Sequence, residues 1–177
     1  MRPWAIRYWL LYHEQPYNEI DRKSARQRAM QPNRPGRILA LDYGRSRIGL
    51  AVSDELGLTA QGLETLERKN IREDLARLAA LAQDRAVSLI LMGDPMRLSG
   101  QAGSHAEEVR RFGRRLEQRT GIPVCFWDER LTTVEANRLL RQAGADRSKR
   151  RQAVDRISAV LLLQSYLDWR AGQVGQP

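Results

Sequence analysis

Four acids stand where apolar stretches of this chain begin or end. Asp42 closes the run 38–42, Asp128 and Glu129 follow the run 122–127, and Asp155 opens the apolar stretch 155–169. An acid at the end of a buried strand is costly unless something uses its charge. Neighbouring parallel strands present their C-terminal ends at one edge of a sheet, so Asp42 and Glu129 can meet there. Asp155 reaches the same edge if the last helix packs with its N-terminus against it, and Ser158 and Ala159, three and four residues on, are small enough for a close approach. Three carboxylates gathered without cations repel one another, and a divalent ion resolves the repulsion. Mg²⁺ and Mn²⁺ take hard oxygen ligands and keep positions open for water and phosphate. Two such ions, roughly 3.5 to 4 Å apart, activate water and stabilise the leaving oxygen in phosphodiester cleavage. Plainer roles stay open: Asp155 as a helix cap, Asp42 as a turn former before Tyr43 and Gly44, Asp128 as an orienting neighbour of Glu129.

The elements that must position these acids follow from pattern. The run 38–42 reads as a strand and turn, and 47–53 alternates, with Ile48, Leu50 and Val52 on one face, as its antiparallel partner. A third strand is expected over 62–66. Asn70 with Glu73 forms a capping-box-like start for a helix carrying Ile71, Leu75, Leu78, Ala79 and Ala82. A buried strand is expected at 87–92, a helix from Ser104 to near Gly121, a strand at 122–127, a helix from Thr132 to near Gly144, and a final apolar helix from Asp155 to about Trp169. In that helix Ile157, Val160, Leu161, Leu163 and Leu167 are expected as core. Antiparallel opening strands followed by alternating helices and strands predict an α/β fold, a mixed sheet with helices on its faces.

Thirty Lys and Arg against 21 Asp and Glu leave a charge of +9 in 177 residues. A polyanion, nucleic acid first, is the expected partner. Between Arg138 and Arg156 lie Arg138, Arg141, Arg147, Lys149, Arg150, Arg151 and Arg156 with only Asp146 and Asp155, a stretch read as a flexible cationic loop suited to a phosphate backbone. A single cysteine, Cys125, excludes an internal disulfide, and no Cys/His spacing suggests zinc, so a reducing, cytoplasmic setting is expected. Cys125 reads as a small buried residue, and His13 and His105 as surface residues. No apolar run is long enough to cross a membrane.

Residues 1–36 read as a separate extension. They hold Trp4, Tyr8, Trp9, Tyr12 and Tyr17, then a basic run, then Pro32, Pro35 and Gly36. The extension is either a nucleic-acid arm or a poorly ordered or translated upstream segment, with Met30 as the physiological start. The domain proper is expected over 37–171, with 172–177 as a tail.

The string LDYGRSRIGLAV, with Asp42, Gly44 and Arg47 to Val52, resembles the opening motif of the YqgF/RuvX family, nuclease proteins linked to pre-16S rRNA and Holliday junctions. The likeness continues in order through GDPMRLSG (93–100), DERLTTVEA (128–136) and VDRISAVLLLQSYLD (154–168). It implies an RNase H-like fold and a metal-dependent nuclease. Carried over by motif, Asp42, Glu129 and Asp155 are the catalytic acids and ligands of a divalent cation, Mg²⁺ or Mn²⁺, expected as two ions. Arg130 would lie beside them, where a guanidinium grips phosphate bidentately. Thr132 and Thr133 would cap the next helix. The family's usual Gly-Leu-Pro-Leu-Asn is replaced by Gly93, Asp94, Pro95, Met96 and Arg97. Asp94 is therefore a candidate further ligand, with Asp128, or else a turn residue pairing with Arg97. Candidate nucleic-acid contacts are Arg130, Arg97, Arg147, Lys149, Arg150, Arg151 and Arg156.

The resemblance implies cleavage of RNA in maturation of pre-16S rRNA. The near alternatives are a four-way DNA junction, which requires a symmetric dimer, and single-stranded nucleic acid in DNA repair, leaving monomer or homodimer undecided. A non-catalytic RNA-binding assembly factor is a second class. A phosphotransferase of the actin and sugar-kinase type shares Asp-x-Gly after its first strand but needs two lobes, and the chain has room for one and no GxxxxGK loop.

Overall fold

The computed structural model describes residues 36–94, 104–128 and 147–174. They fall within one compact unit, Pro32–Pro177. The extension 1–35, the stretch 95–103 and the helix expected at 132–144 lie outside the described residues.

β1 (Arg37–Tyr43) and β2 (Arg47–Ser53) form the expected hairpin, with Leu41 opposite Leu50 and Asp42 opposite Gly49. Strand alternation sends Leu39, Leu41, Tyr43, Ile48, Leu50 and Val52 to one face, and Ala40, Asp42, Gly49, Ala51 and Ser53 to the other. The expected third strand is two short pieces, β3 (Ala60–Gly62) and β4 (Leu66–Glu67), each antiparallel to β2. Between them Leu63 packs against the core and its N–H reaches Leu50 O at 2.8 Å, which takes the chain off the regular pleat.

α1 (Ile71–Asp84) starts at Asn70, whose side chain accepts from Glu73 N–H as the sequence predicts. β5 (Val87–Asp94) then runs parallel to β1, and β6 (Val124–Asp128) parallel to β5. Between them, α2 (Ser104–Thr120) closes at Gly121, whose φ of +68° is the left-handed conformation that glycine adopts most cheaply. Among the described residues the sheet order is β3-β2-β1-β5-β6, with β4 beside β2. β1 and the strand leading to Glu129 are therefore not adjacent: β5 lies between them.

α3 (Arg147–Val174) begins two turns earlier than expected. Residues 147–156 are helix, so the flexible cationic loop expected there is corrected for Arg147, Lys149, Arg150, Arg151 and Arg156. From 147 to 171 the chain has neither Gly nor Pro, and Arg, Lys, Gln and Ala favour helix, so nothing stops propagation toward the N-terminus. Asp155 consequently lies inside the helix and is no cap.

Two layers of helix cover the sheet. Leu75, Leu78, Val109, Phe112 and Leu116 of α1 and α2 join Leu39, Leu41, Tyr43, Ile48, Leu50, Ile90 and Met92 in the main core. The opposite face of β1 and β2 carries small residues, and α3 packs there through Ser158, Ala159, Leu162, Leu163, Tyr166 and Leu167, all buried. These are the i+3 and i+4 rows from Asp155. Ile157, Val160 and Leu161, expected as core with Leu163 and Leu167, are only partly buried, because the seam runs one residue away. No described helix is long and apolar enough to cross a membrane.

Candidate functional site

The C-terminal ends of β1, β5 and β6 and the start of β2 share one edge of the sheet. Asp42 is at that edge on β1, half-buried, on the face covered by α3. Its cross-strand partner Gly49 faces the same helix. A side chain at Gly49 would collide with the backbone of Asp155, its carbonyl first. Glycine at 49 thus lets α3 lie directly on β2 and brings Asp155, 113 residues after Asp42 in sequence, over the strand pair that carries Asp42.

Arg47, at the start of β2 and on the same face as Gly49, pairs with Asp155: Nε to Oδ2 is 2.7 Å, with both side chains about one quarter exposed. Arg47 belongs to the opening motif, yet sequence reasoning gave it no role. The signal was available: a cation two residues before a glycine, in a strand where alternation places both on one face.

The turn between Asp42 and Arg47 is held by a second set of side chains that the sequence reading also missed. Gly44 N–H donates to Arg47 O at 2.9 Å. Arg68 Nη1 donates to Gly44 O at 2.9 Å and Arg45 O at 3.2 Å, and Arg68 N–H to Ser46 O at 3.0 Å. All three turn carbonyls therefore accept from one residue. The guanidinium lies over the Tyr43 ring, 4.2 Å from its centroid, and its Nε pairs with the fully buried Asp74 at 3.3 Å. Asp74 also accepts from Lys69 N–H at 3.1 Å. Tyr43 OH donates to Glu108 Oε1 at 3.0 Å, joining α2 to the turn. Burial, with the Glu108 contact adding to it and Arg68 opposing it, pushes the Tyr43 phenol up to about 12.

The positions of Asp94 and Asp128 are register partners at the ends of β5 and β6. β6 is fixed to α3 by Trp127, whose Nε1 donates to Ser165 Oγ at 3.0 Å and whose ring meets Tyr166 and Trp169. Cys125, on the same strand, has its thiol pushed up to about 12 by burial, which keeps it protonated and poorly nucleophilic. His105 has partial exposure, with Nδ1 3.8 Å from Glu108 Oε2. Glu129, Arg130 and Arg97 lie outside the described residues. Of Arg147, Lys149, Arg150 and Arg151 the backbone is placed on α3, in the two turns preceding Asp155, and Arg156 is exposed beside it.

Of the three catalytic acids expected, the structure thus brings together the positions of Asp42 and Asp155. Among the described residues no three Asp, Glu, His or Cys side chains form a group able to hold a metal. The donors present suit a hard cation: two carboxylates, no thiolate and no imidazole.

The model of the family described as "RuvX: Holliday junction resolvase" matches residues 36–169. A protein of Koribacter versatilis, named "Putative pre-16S rRNA nuclease", is 55% identical over 135 residues, 76% of this chain and 88% of that one. One of the same name from Syntrophus aciditrophicus is 54% identical over 132 residues, 75% of this chain and 88% of that one. Among solved structures, Thermus thermophilus RuvC in complex with a Holliday junction substrate is 13% identical with a TM-score of 0.49, covering 78% of this chain and 96% of that one. A matched region that takes in the Asp42 turn, β5, β6 and Asp155, together with identity at more than half of the aligned positions in two curated relatives, leads to one conclusion: the chain belongs to the RuvX (YqgF) family.

Proposed function

We propose that this protein is a divalent-cation-dependent nuclease that hydrolyses phosphodiester bonds in RNA and matures the pre-16S rRNA 5′ end in the cytoplasm. The observation that carries the reading is the seating of Asp155 on Gly49, the partner of Asp42, which places two acids distant in sequence at one sheet edge. The names borne by the relatives support the substrate.

Asp42, Asp155 and Glu129 would hold Mg²⁺ or Mn²⁺, as a pair of ions, with Asp94 and Asp128 as further candidate ligands. A cation held there would supply Lewis acidity toward water and the scissile phosphate. The chain's own residues do the rest. The Arg68 clamp fixes the turn between Asp42 and Arg47, so the first carboxylate is oriented before substrate arrives. Arg130 and Arg97 would grip phosphates near the scissile bond. Arg147 and Arg151 would carry the flanking backbone, with Lys149, Arg150 and Arg156 adding to the positive field around it. Residues 1–36 would be an appendage to this domain, which fits a family match beginning at residue 36.

The description of the family as a Holliday junction resolvase favours a second substrate, a four-way DNA junction, cut by a symmetric dimer. The test incubates the full chain with labelled single-stranded RNA, duplex RNA and a DNA junction, each with Mg²⁺, Mn²⁺ or chelator. RNA cleavage that needs the cation and disappears in Asp42→Asn is expected. Junction cleavage alone by a dimer favours the second substrate, and binding without cleavage by fresh protein overturns the enzymatic reading.

A further inference from the structure

Asp155 already has a cation. Its Oδ2 lies 2.7 Å from Arg47 Nε, the length of a charge-assisted hydrogen bond, and the scaffold sets that distance. Asp155 is seated through its backbone on Gly49, and Arg47 is two residues from Gly49 on the same strand and face, one pleat repeat away. Arg47 is itself fixed by Gly44 N–H on its carbonyl and by pairing with Glu67 across β2 and β4. The pair is partly open, with 27% of the Arg47 side chain and 25% of the Asp155 side chain exposed, so an incoming ion and an incoming phosphate can both reach it. Among the described residues Arg47 donates to Asp155 through Nε.

A guanidinium and a divalent ion on one carboxylate compete, since like charges in one pocket repel and each weakens the hold of the other. We infer that Arg47 is the resident counter-cation of Asp155. It neutralises the acid while the site holds no metal, yields it to the divalent ion, and turns its planar fork to a phosphate of the nucleic acid. The inference rests on the divalent-ion reading of Asp155 proposed above. It explains why a strand that faces an acid-rich edge starts with an arginine, and it couples metal uptake to substrate binding: each phosphate that takes Arg47 frees Asp155, and each ion that takes Asp155 frees Arg47.

The test titrates Mn²⁺ calorimetrically into the full-length protein without nucleic acid, for wild type, Arg47→Gln, Arg47→Lys and Asp155→Asn. Arg47→Gln is expected to bind Mn²⁺ about two- to fivefold more tightly, the scale of one part-exposed charged contact. Arg47→Lys, which keeps the charge, should stay near wild type. In a second arm, Mn²⁺ tightens wild-type binding to a cleavage-resistant phosphorothioate RNA, and Arg47→Gln and Arg47→Lys lose most of that gain because neither has the guanidinium fork. Mn²⁺ affinity that depends on Asp155 but is equal or weaker in Arg47→Gln overturns the Arg47 inference alone. Mn²⁺ binding that is absent, or unchanged in Asp155→Asn, overturns the metal reading and this one with it. Should Arg47→Gln fail to fold, the phosphorothioate arm with Arg47→Lys decides: a full wild-type gain overturns the inference.

Discussion

The carbonyl of Asp155 rests on Gly49, and no β-carbon fits between them. A methyl group at 49 meets backbone, which cannot rotate away, so Gly49→Ala must push α3 off β2 and carry Asp155 away from Asp42. We expect a loss of about 2 to 3 kcal/mol, the scale of overpacking a tight interface, together with loss of cleavage. Gly62→Ala is the control. There the new methyl meets Arg156 Cγ and Val160 Cγ2, side-chain atoms that can shift, so its cost should be clearly smaller and cleavage should survive. Urea unfolding of both variants, with RNA cleavage measured at temperatures where each is folded, compares them. Equal costs would show that α3 does not depend on contact at Gly49.

Arg68 and Asp74 form a pair whose acid is fully buried, and Arg68 alone serves three carbonyls of the turn after Asp42. Asp74→Ala leaves the guanidinium without its buried partner and should cost about 3 to 5 kcal/mol. Replacing both, Arg68→Met with Asp74→Leu, should recover part of that stability, since no buried charge is then stranded. Cleavage should not recover, because the carbonyls of Gly44 and Arg45 no longer have their side-chain donor and Asp42 no longer has its fixed turn. Recovery of both stability and activity would mean that the pair serves packing alone.

The Tyr43 phenol has its pKa raised from 10.0 to about 12, chiefly by burial. Between those values the unfolded chain gives up this proton and the folded one keeps it. Its contribution is therefore complete below pH 10 and is lost as pH rises toward 12. Tyr43→Phe removes the hydrogen bond to Glu108, at a cost of about 1 kcal/mol near neutrality, and should also flatten the fall in stability between pH 10 and 12. Denaturant melts of the two proteins across that range check it; parallel slopes would mean that other groups cause the alkaline loss.

Much of the scaffold was legible in the sequence because each signal was local. The period-2 alternation of Ile48, Leu50 and Val52, the Asn70 and Glu73 cap, and Gly121 at a helix end each act within a few residues, and each element formed where they predicted. What escaped depended on partners distant in sequence. The seam of α3 is set by where Asp155 seats on Gly49, so the hydrophobic row at Ile157, Val160 and Leu161 gave way to the row at Ser158, Ala159 and Leu162. Burial of Asp74 is offset by Arg68 and by the Lys69 amide, which a helical pattern cannot reveal. The pairing of Arg47 with Asp155 spans 108 residues, and Asp42 shows only as an acid at a strand end until Gly49 is seen beside it.

The helical state of residues 147–156 sharpens what the cationic stretch should do. In a loop, Arg147, Lys149, Arg150 and Arg151 would be interchangeable, and removing any one charge would weaken binding alike. On a helix they differ by phase. Arg147 and Arg151 lie eight and four residues before Asp155 in the same row, whereas Arg150 and Lys149, five and six residues before it, fall on other sides. The row extends about 12 Å from Asp155 at 1.5 Å per residue, the span of roughly two nucleotides of backbone. Arg147→Gln with Arg151→Gln should therefore weaken RNA binding and lower the salt slope by roughly 1.4, at about 0.7 for each single-strand phosphate that is no longer neutralised. Lys149→Gln should change the slope little. Fluorescence anisotropy at several salt concentrations measures both, and an equal effect at Lys149 would mean that the charges act as a diffuse cloud with no defined track leading to Asp155.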